Sequence, residues 1–175
     1  MTAVKLEDAR HIISAAEKKA TEIGQPMNIA VDDEGGNTVA HVRMDNAWIG
    51  SIDIAMKKAY TSRGFDIETK ELAKHSQSGG QFFGIHASNN GKIMIFAAGI
   101  PLKRDGKMVG AIGVSGAGDQ NHAVAAARRR CVLKRTNPCR TIIPALTSAF
   151  PRGTHDWTSL ICTHFRNLET PANPS

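Results

Sequence analysis

Two turn signatures, each set between apolar runs, restrict the folds open to this chain more than any other feature. Asp33-Glu-Gly-Gly-Asn37 separates Met27, Ile29 and Val31, which alternate with small or polar residues, from Val39-Ala-His-Val-Arg-Met44. Arg104-Asp-Gly-Lys107 separates Gly99-Ile-Pro-Leu102 from Met108-Val-Gly-Ala-Ile-Gly-Val114. Asp-Gly between apolar runs is a strong short-range hairpin signal, because glycine supplies the positive φ that tight turns need. The run Lys92-Ile-Met-Ile-Phe96 reads as a further strand. Hairpins outnumber βαβ crossovers, so the expected class is α+β: an antiparallel sheet with helices packed on one face. Asp32 ends the first strand where a second valine would fit better, so it is expected to face water or to be a mild defect.

Helical periodicity fills the remaining segments. Leu6, Ala9, Ile12, Ile13, Ala16, Ala20 and Ile23 step by three and four, with Gly24 and Pro26 as a stop and Lys5 as a poor N-cap unless Thr2 serves. Ser51 can cap a second helix whose Ile52, Ala55, Met56, Ala59 and Tyr60 share a face, with Lys57 and Lys58 beside it. A third, short helix is expected from Asp66 through Leu72 and Ala73, and a last one from about Asp119, after Ser115-Gly-Ala-Gly118. Between Ser76 and Gly91 lies a long loop of Ser, Gly, Gln, Asn and His around Phe82-Phe83-Gly84-Ile85, of the kind that carries function or covers something.

Charge divides the chain. After Ala127 stand eight basic residues and two acidic ones, whereas the preceding part holds 14 of each and is neutral. The three cysteines and five of the seven prolines also fall in that tail, so no disulfide framework or thiolate metal site is available before it. The expected organisation is a domain over 1–127 and a basic, poorly ordered tail over 128–175. The N-terminus runs straight into a charged amphipathic pattern, and no run of 18 apolar residues occurs. A cytoplasmic protein with no membrane segment is expected.

Five segments, in order, resemble the GlcG/HbpS-like family of haem-binding proteins, to which the C-terminal domain of PduO-type proteins is related. They are Ile29-Ala-Val-Asp-Asp-Glu-Gly-Gly-Asn37, His41-Val-Arg-Met-Asp45, Ser51-Ile-Asp-Ile-Ala-Met-Lys-Lys-Ala59, Gly99-Ile-Pro-Leu102 and Val109-Gly-Ala-Ile-Gly-Val-Ser-Gly116. The likeness covers about residues 4–126. It implies a profilin-like fold, a homo-oligomer and binding of haem or a related tetrapyrrole, without one settled enzyme activity. The sequence departs from the family pattern at Asp32 (usually Val), Thr38 (usually apolar), Gly64 (usually Ala) and Ala98 (usually Gly), and is one residue short near Gly116. The family normally closes with an alanine-rich helix; here Ala125-Ala-Ala127 runs into Arg128-Arg-Arg-Cys131. CGN arginine codons read one nucleotide later begin with G and, where C comes next, encode alanine. The tail is therefore expected to be a frameshifted extension. A genuine basic extension for nucleic acid or anionic lipid is the rival, disfavoured because aromatic interleaving and amphipathic order are both absent.

Haem requires an axial ligand, cations for its propionates and an apolar wall. Outside the tail the imidazoles are His11, His41, His75, His86 and His122. His86, in the long loop after Phe82 and Phe83, is the first candidate for the iron, and His11, beside the apolar seam of the first helix, the second. Each taken singly also fits a surface or structural role. Arg43 and Asp45 end the second strand, and Lys57 and Lys58 follow on the next helix, so a ligand carboxylate could lie among them; an ion pair of Arg43 with Asp53 is equally economical. The glycines at 110, 113, 116 and 118 match neither a P-loop nor a dinucleotide fingerprint, and they fit close strand packing better. Ser115 lacks the first glycine of a nucleophile elbow and any evident base, which argues against a hydrolase. The leading function is non-catalytic haem or tetrapyrrole binding, accessory to a catabolic or cofactor-dependent system. The alternatives are a small catabolic enzyme or accessory subunit acting on a carboxylate substrate, and a purely structural oligomer.

Overall fold

The computed structural model describes residues 3–116 and 120–127. The basic tail, its proposed frameshift origin, Thr2 and Asp119 lie outside the described residues. The element order is α1 (Leu6–Glu22), β1 (Asn28–Asp33), β2 (Thr38–Arg43), α2 (Gly50–Phe65), α3 (Thr69–His75), two single 3₁₀ turns (Ile85–Ala87 and Asn89–Gly91), β3 (Gly99–Arg104), β4 (Lys107–Ser115) and α4 (Gln120–Ala126). The four strands form one antiparallel sheet in the order β2-β1-β4-β3, so the two expected hairpins are joined through the central β1–β4 pair.

Helix α1 starts without a side-chain acceptor at Lys5; instead the Asp8 carboxylate accepts the Lys5 N–H at 3.1 Å. It ends as expected at Gly24, whose φ of +66° lets the Gly24 and Gln25 N–H groups return to the last turn. In the first hairpin turn, Asp33 Oδ1 accepts from Gly35 N at 2.8 Å and from Asn37 N at 2.9 Å, fixing the loop by local bonds.

Helices cover both faces of the sheet, which corrects the one-face expectation. Strand β1 is buried along nearly its whole length, and alternate residues meet different partners. Ile29 and Val31 join Ile12, Ala16, Ile100, Ile112, Val114 and Val124 in the main apolar core beneath α1 and α4. Ala30 points the other way and meets Ala55 and Ala59 of α2. That second layer is thin because its residues are small. A Cβ on Gly113 would collide with the carbonyl oxygen of Ala55 and the amide nitrogen of Ala59. The underside of α2 is Ser51, Ala55, Lys58, Ala59, Thr61 and Ser62, not the larger apolar set that periodicity suggests.

Three local expectations change. Asp66 does not cap α3: at φ +55° it closes α2 in the left-handed region, and α3 begins at Thr69. Ser51 is not the cap of α2 but a buried residue within its first turn. Lys92–Phe96 is not a strand, because hydroxyls hold its backbone in place of a ladder. Met94 N donates to Thr61 Oγ1 at 2.8 Å, and Thr69 Oγ1 donates to the Phe96 carbonyl at 2.6 Å. Just beyond, Ala98 has a φ of +91°, a conformation strained for any residue but glycine, at one of the positions that depart from the family pattern. Among the described residues, no helix is long and apolar enough to cross a membrane.

Replacing Gly113 by Ala should destabilise the domain by about 2 kcal/mol, because the added methyl meets backbone atoms that cannot move aside. Guanidinium unfolding measures it, and a midpoint equal to that of the parent would show that α2 lies farther from β4 than described.

Candidate functional site

Asp32 lies on the α2 face of β1, opposite Thr38 of β2, at a register shift between Val31 and Asp32. The residue is only 1% exposed, so it neither faces water nor is it an uncompensated defect. Thr38 Oγ1 donates to Asp32 Oδ1 at 3.0 Å. Two of the four residues that depart from the family pattern are thus bonded partners, a hydroxyl and a carboxyl where two apolar groups would otherwise meet. Burial pushes the Asp32 carboxyl up from its ordinary 3.8 to about 7, against the Thr38 bond that favours the charged form; neighbouring Asp33 adds a smaller upward push.

Asp32 and Thr38 form one wall of a pocket of about 200 Å³ between the first hairpin and α2, completed by Gly36, Asp53, Met56, Lys57, Tyr60 and Lys92. Lys57 Nζ is 2.8 Å from Asp53 Oδ2, one helical turn away. The Lys92 ammonium stands 5.3 Å from the centroid of the Tyr60 ring, over its face.

The four residues expected to hold a carboxylate are not gathered in one place. Lys57 lines the pocket. Lys58 points under α2, 1% exposed, and donates to the Val114 carbonyl at 2.9 Å; its burial pulls the ammonium down to about 8. Arg43 is exposed at the end of β2, and its Nε donates to the Ala47 carbonyl at 2.9 Å. Asp45 is exposed in the turn that follows. Asp53 pairs with Lys57 and not with Arg43.

The two candidate iron ligands lie on different elements. His86 is exposed in the first 3₁₀ turn, which follows Gly84 at φ +85°. Phe82 and Phe83 of the same loop are 41% and 67% exposed. His75 and Phe82 meet edge to face with centroids 6.1 Å apart. His11 is exposed on α1. His86 and the two exposed phenyl rings thus lie in one exposed loop. The 200 Å³ pocket does not suit a tetrapyrrole, since it is smaller than the roughly 300 Å³ at which pockets for drug-sized ligands begin.

Sequence reasoning passed over Asp32, Tyr60 and Lys92 as site residues, because they come from three segments and share no spacing. The signal available was Asp32 itself, a charge in a run of β-formers. His41 was counted among the imidazoles and not chosen. It lies on the α2 face of β2 opposite Ala30, with burial lowering its pKa and its Nε2 enclosed without a hydrogen-bond partner among the described residues. On the same face of β1, Asn28 donates from Nδ2 to the Trp48 carbonyl at 2.9 Å while its Oδ1 is enclosed without a partner among the described residues.

A four-stranded antiparallel sheet with small-residue helix packing on one face and an apolar core on the other defines a class that comparison makes specific. The family model described as "Haem degrading protein HbpS-like" matches residues 4–129, and the chain belongs to that family. Over 113 residues the chain is 40% identical to a 15.0 kDa protein of the dhaT-dhaS intergenic region of Citrobacter freundii, covering 65% of this chain and 80% of that one. The crystal structure of Klebsiella pneumoniae ORFY superposes with a TM-score of 0.73 at 34% identity, covering 75% of this chain and 92% of that one. The crystal structure of a PduOC:heme complex superposes with a TM-score of 0.71 at 27% identity, covering 76% of this chain and 100% of that one.

The raised Asp32 carboxyl makes stability pH-dependent. Between its ordinary 3.8 and about 7 the folded state keeps a proton that the unfolded state releases. Stability therefore falls as pH rises through that window and levels off above it. Asp32→Asn, which cannot ionise, should be more stable than the parent by on the order of 2 kcal/mol at pH 8 and by much less at pH 4.5. Denaturant titrations at both pH values read this directly; a gap of equal size at each would rule out a buried, titrating Asp32.

Proposed function

We propose that this chain binds haem or a related tetrapyrrole without turning it over, using the loop from Ser76 to Gly91. The observation that carries haem binding is membership of the HbpS-like family together with the superposition on the PduOC:heme complex. What this chain adds is an exposed donor with apolar surface beside it: His86, with Phe82 and Phe83. In this reading His86 would hold the iron, with His11 the second candidate, and Phe82 and Phe83 would form the apolar wall. The iron supplies the chemistry of the bound group; the protein's part is to orient the ring and limit solvent access. Arg43, exposed at the end of β2, is the candidate cation for a propionate in this reading. The same reading includes assembly into a homo-oligomer in the cytoplasm and a role accessory to a catabolic or cofactor-dependent system. It also takes the domain as ending near residue 127, with the basic tail dispensable for binding.

Titrating the full chain with haemin should give a saturable Soret shift. His86→Ala should weaken it about tenfold or more, with a smaller change for His11→Ala, as expected for loss of a metal-ligand bond. Addition of ascorbate under air then separates storage from turnover: a Soret band that persists agrees with binding alone, and rapid bleaching would replace this reading by haem degradation. No shift in the parent would overturn haem binding, and a shift unaltered in both variants would remove the ligand assignment.

A further inference from the structure

We propose that the pocket between the first hairpin and α2 is a separate site for a small hydroxylated carboxylate, its carboxylate held at Lys92 and its hydroxyl at Asp32. The site is too small for a tetrapyrrole and does not depend on the haem reading.

Size limits the ligand first. A cavity of roughly 150 Å³ accommodates benzene, so about 200 Å³ leaves room for an acid of a few carbons. Charge selects its class. Lys57 and Asp53 neutralise each other across 2.8 Å. Lys92 faces the Tyr60 ring but has no carboxylate partner among the described residues, which leaves one surplus cation for one anionic group.

Hydrogen-bonding capacity then selects the second functional group. Asp32 accepts from Thr38 at Oδ1, while its other oxygen has no donor from the described protein and belongs to a residue lining the pocket. That oxygen is not among the enclosed atoms, so it is open to the pocket and can accept from a ligand hydroxyl. Repulsion between Asp32 and an anionic ligand is reduced because burial keeps part of the Asp32 population protonated near neutral pH. Met56 and the Tyr60 ring provide the apolar sides for the short carbon chain.

Lactate and propionate differ only in the hydroxyl, and so test the two halves of the site separately. In ¹H–¹⁵N titrations of the full chain at pH 7, lactate should shift the amides of Gly36, Thr38, Lys57 and Lys92 saturably. It should bind about tenfold tighter than propionate, the worth of one charge-assisted hydrogen bond. Lys92→Ala, at an exposed position that leaves folding intact, should weaken both acids about tenfold. Asp32→Val should lower lactate to the level of propionate and leave propionate unchanged, with far-UV circular dichroism as the check that the variant folds. The proposal is overturned if neither acid binds, if the two bind alike to the parent, if Lys92→Ala leaves the affinity for lactate unchanged, or if inorganic phosphate binds tighter than lactate.

Discussion

The close approach of α2 to the central strands governs how the rest of this domain is arranged. Ala30, Ala55, Ala59 and Gly113 offer so little bulk that helix backbone and sheet backbone come nearly into contact. An interface built this way gains little from hydrophobic burial, which scales with apolar area. It must instead satisfy polar groups, since buried donors and acceptors without partners are expensive. The result is a sandwich of two unlike layers. Beneath α1 and α4 lies an ordinary apolar core; beneath α2 lies a tight, polar seam containing Asn28, Asp32, Ser51, Lys58, Thr61 and Ser115.

Two ionisable groups in that seam show how its demands are met. Lys58 and Asp32 are each 1% exposed, and neither forms an ion pair among the described residues. Lys58 is anchored by the Val114 carbonyl and Asp32 by the Thr38 hydroxyl, one neutral hydrogen bond apiece. Such bonds offset only part of the desolvation, so both groups are displaced toward their neutral forms, the lysine down and the aspartic acid up. The apolar layer makes this affordable in free energy, and it leaves the seam as the place where protonation and small ligands can act. The two hairpin departures are coupled, since the Thr38 hydroxyl is the donor to the buried Asp32 carboxyl.

Family membership and the open loop address a different surface. Phe82 and Phe83 are exposed in the same loop as His86, and Trp48 and Ile49 are exposed at the start of α2 at 69% and 75%. A compact domain with rings held outward on irregular segments places recognition on its periphery and leaves the sheet as a rigid support. The haem reading and the small-acid pocket therefore concern separate parts of one scaffold.

Local chemistry was enough to determine much of this protein. The α1 period and its Gly24 stop, the Asp33–Asn37 and Asp105–Gly106 turns, and the two hairpins are short-range features, and the structure keeps them. The five ordered motifs likewise led to the family. Tertiary structure decided what short range cannot encode. Lys92–Phe96 has the composition of a strand, yet the Thr61 and Thr69 hydroxyls capture its backbone. Lys58 belongs by period to the flank of α2, yet the thinness of the Ala and Gly layer draws it under the helix. Asp32, Tyr60 and Lys92 share a pocket only because hairpin, helix and loop converge there. Sequence alone specified α1 and the two hairpins, because turns and periodicity act over a few residues; the seam and its pocket arose from distances between elements, which only packing sets.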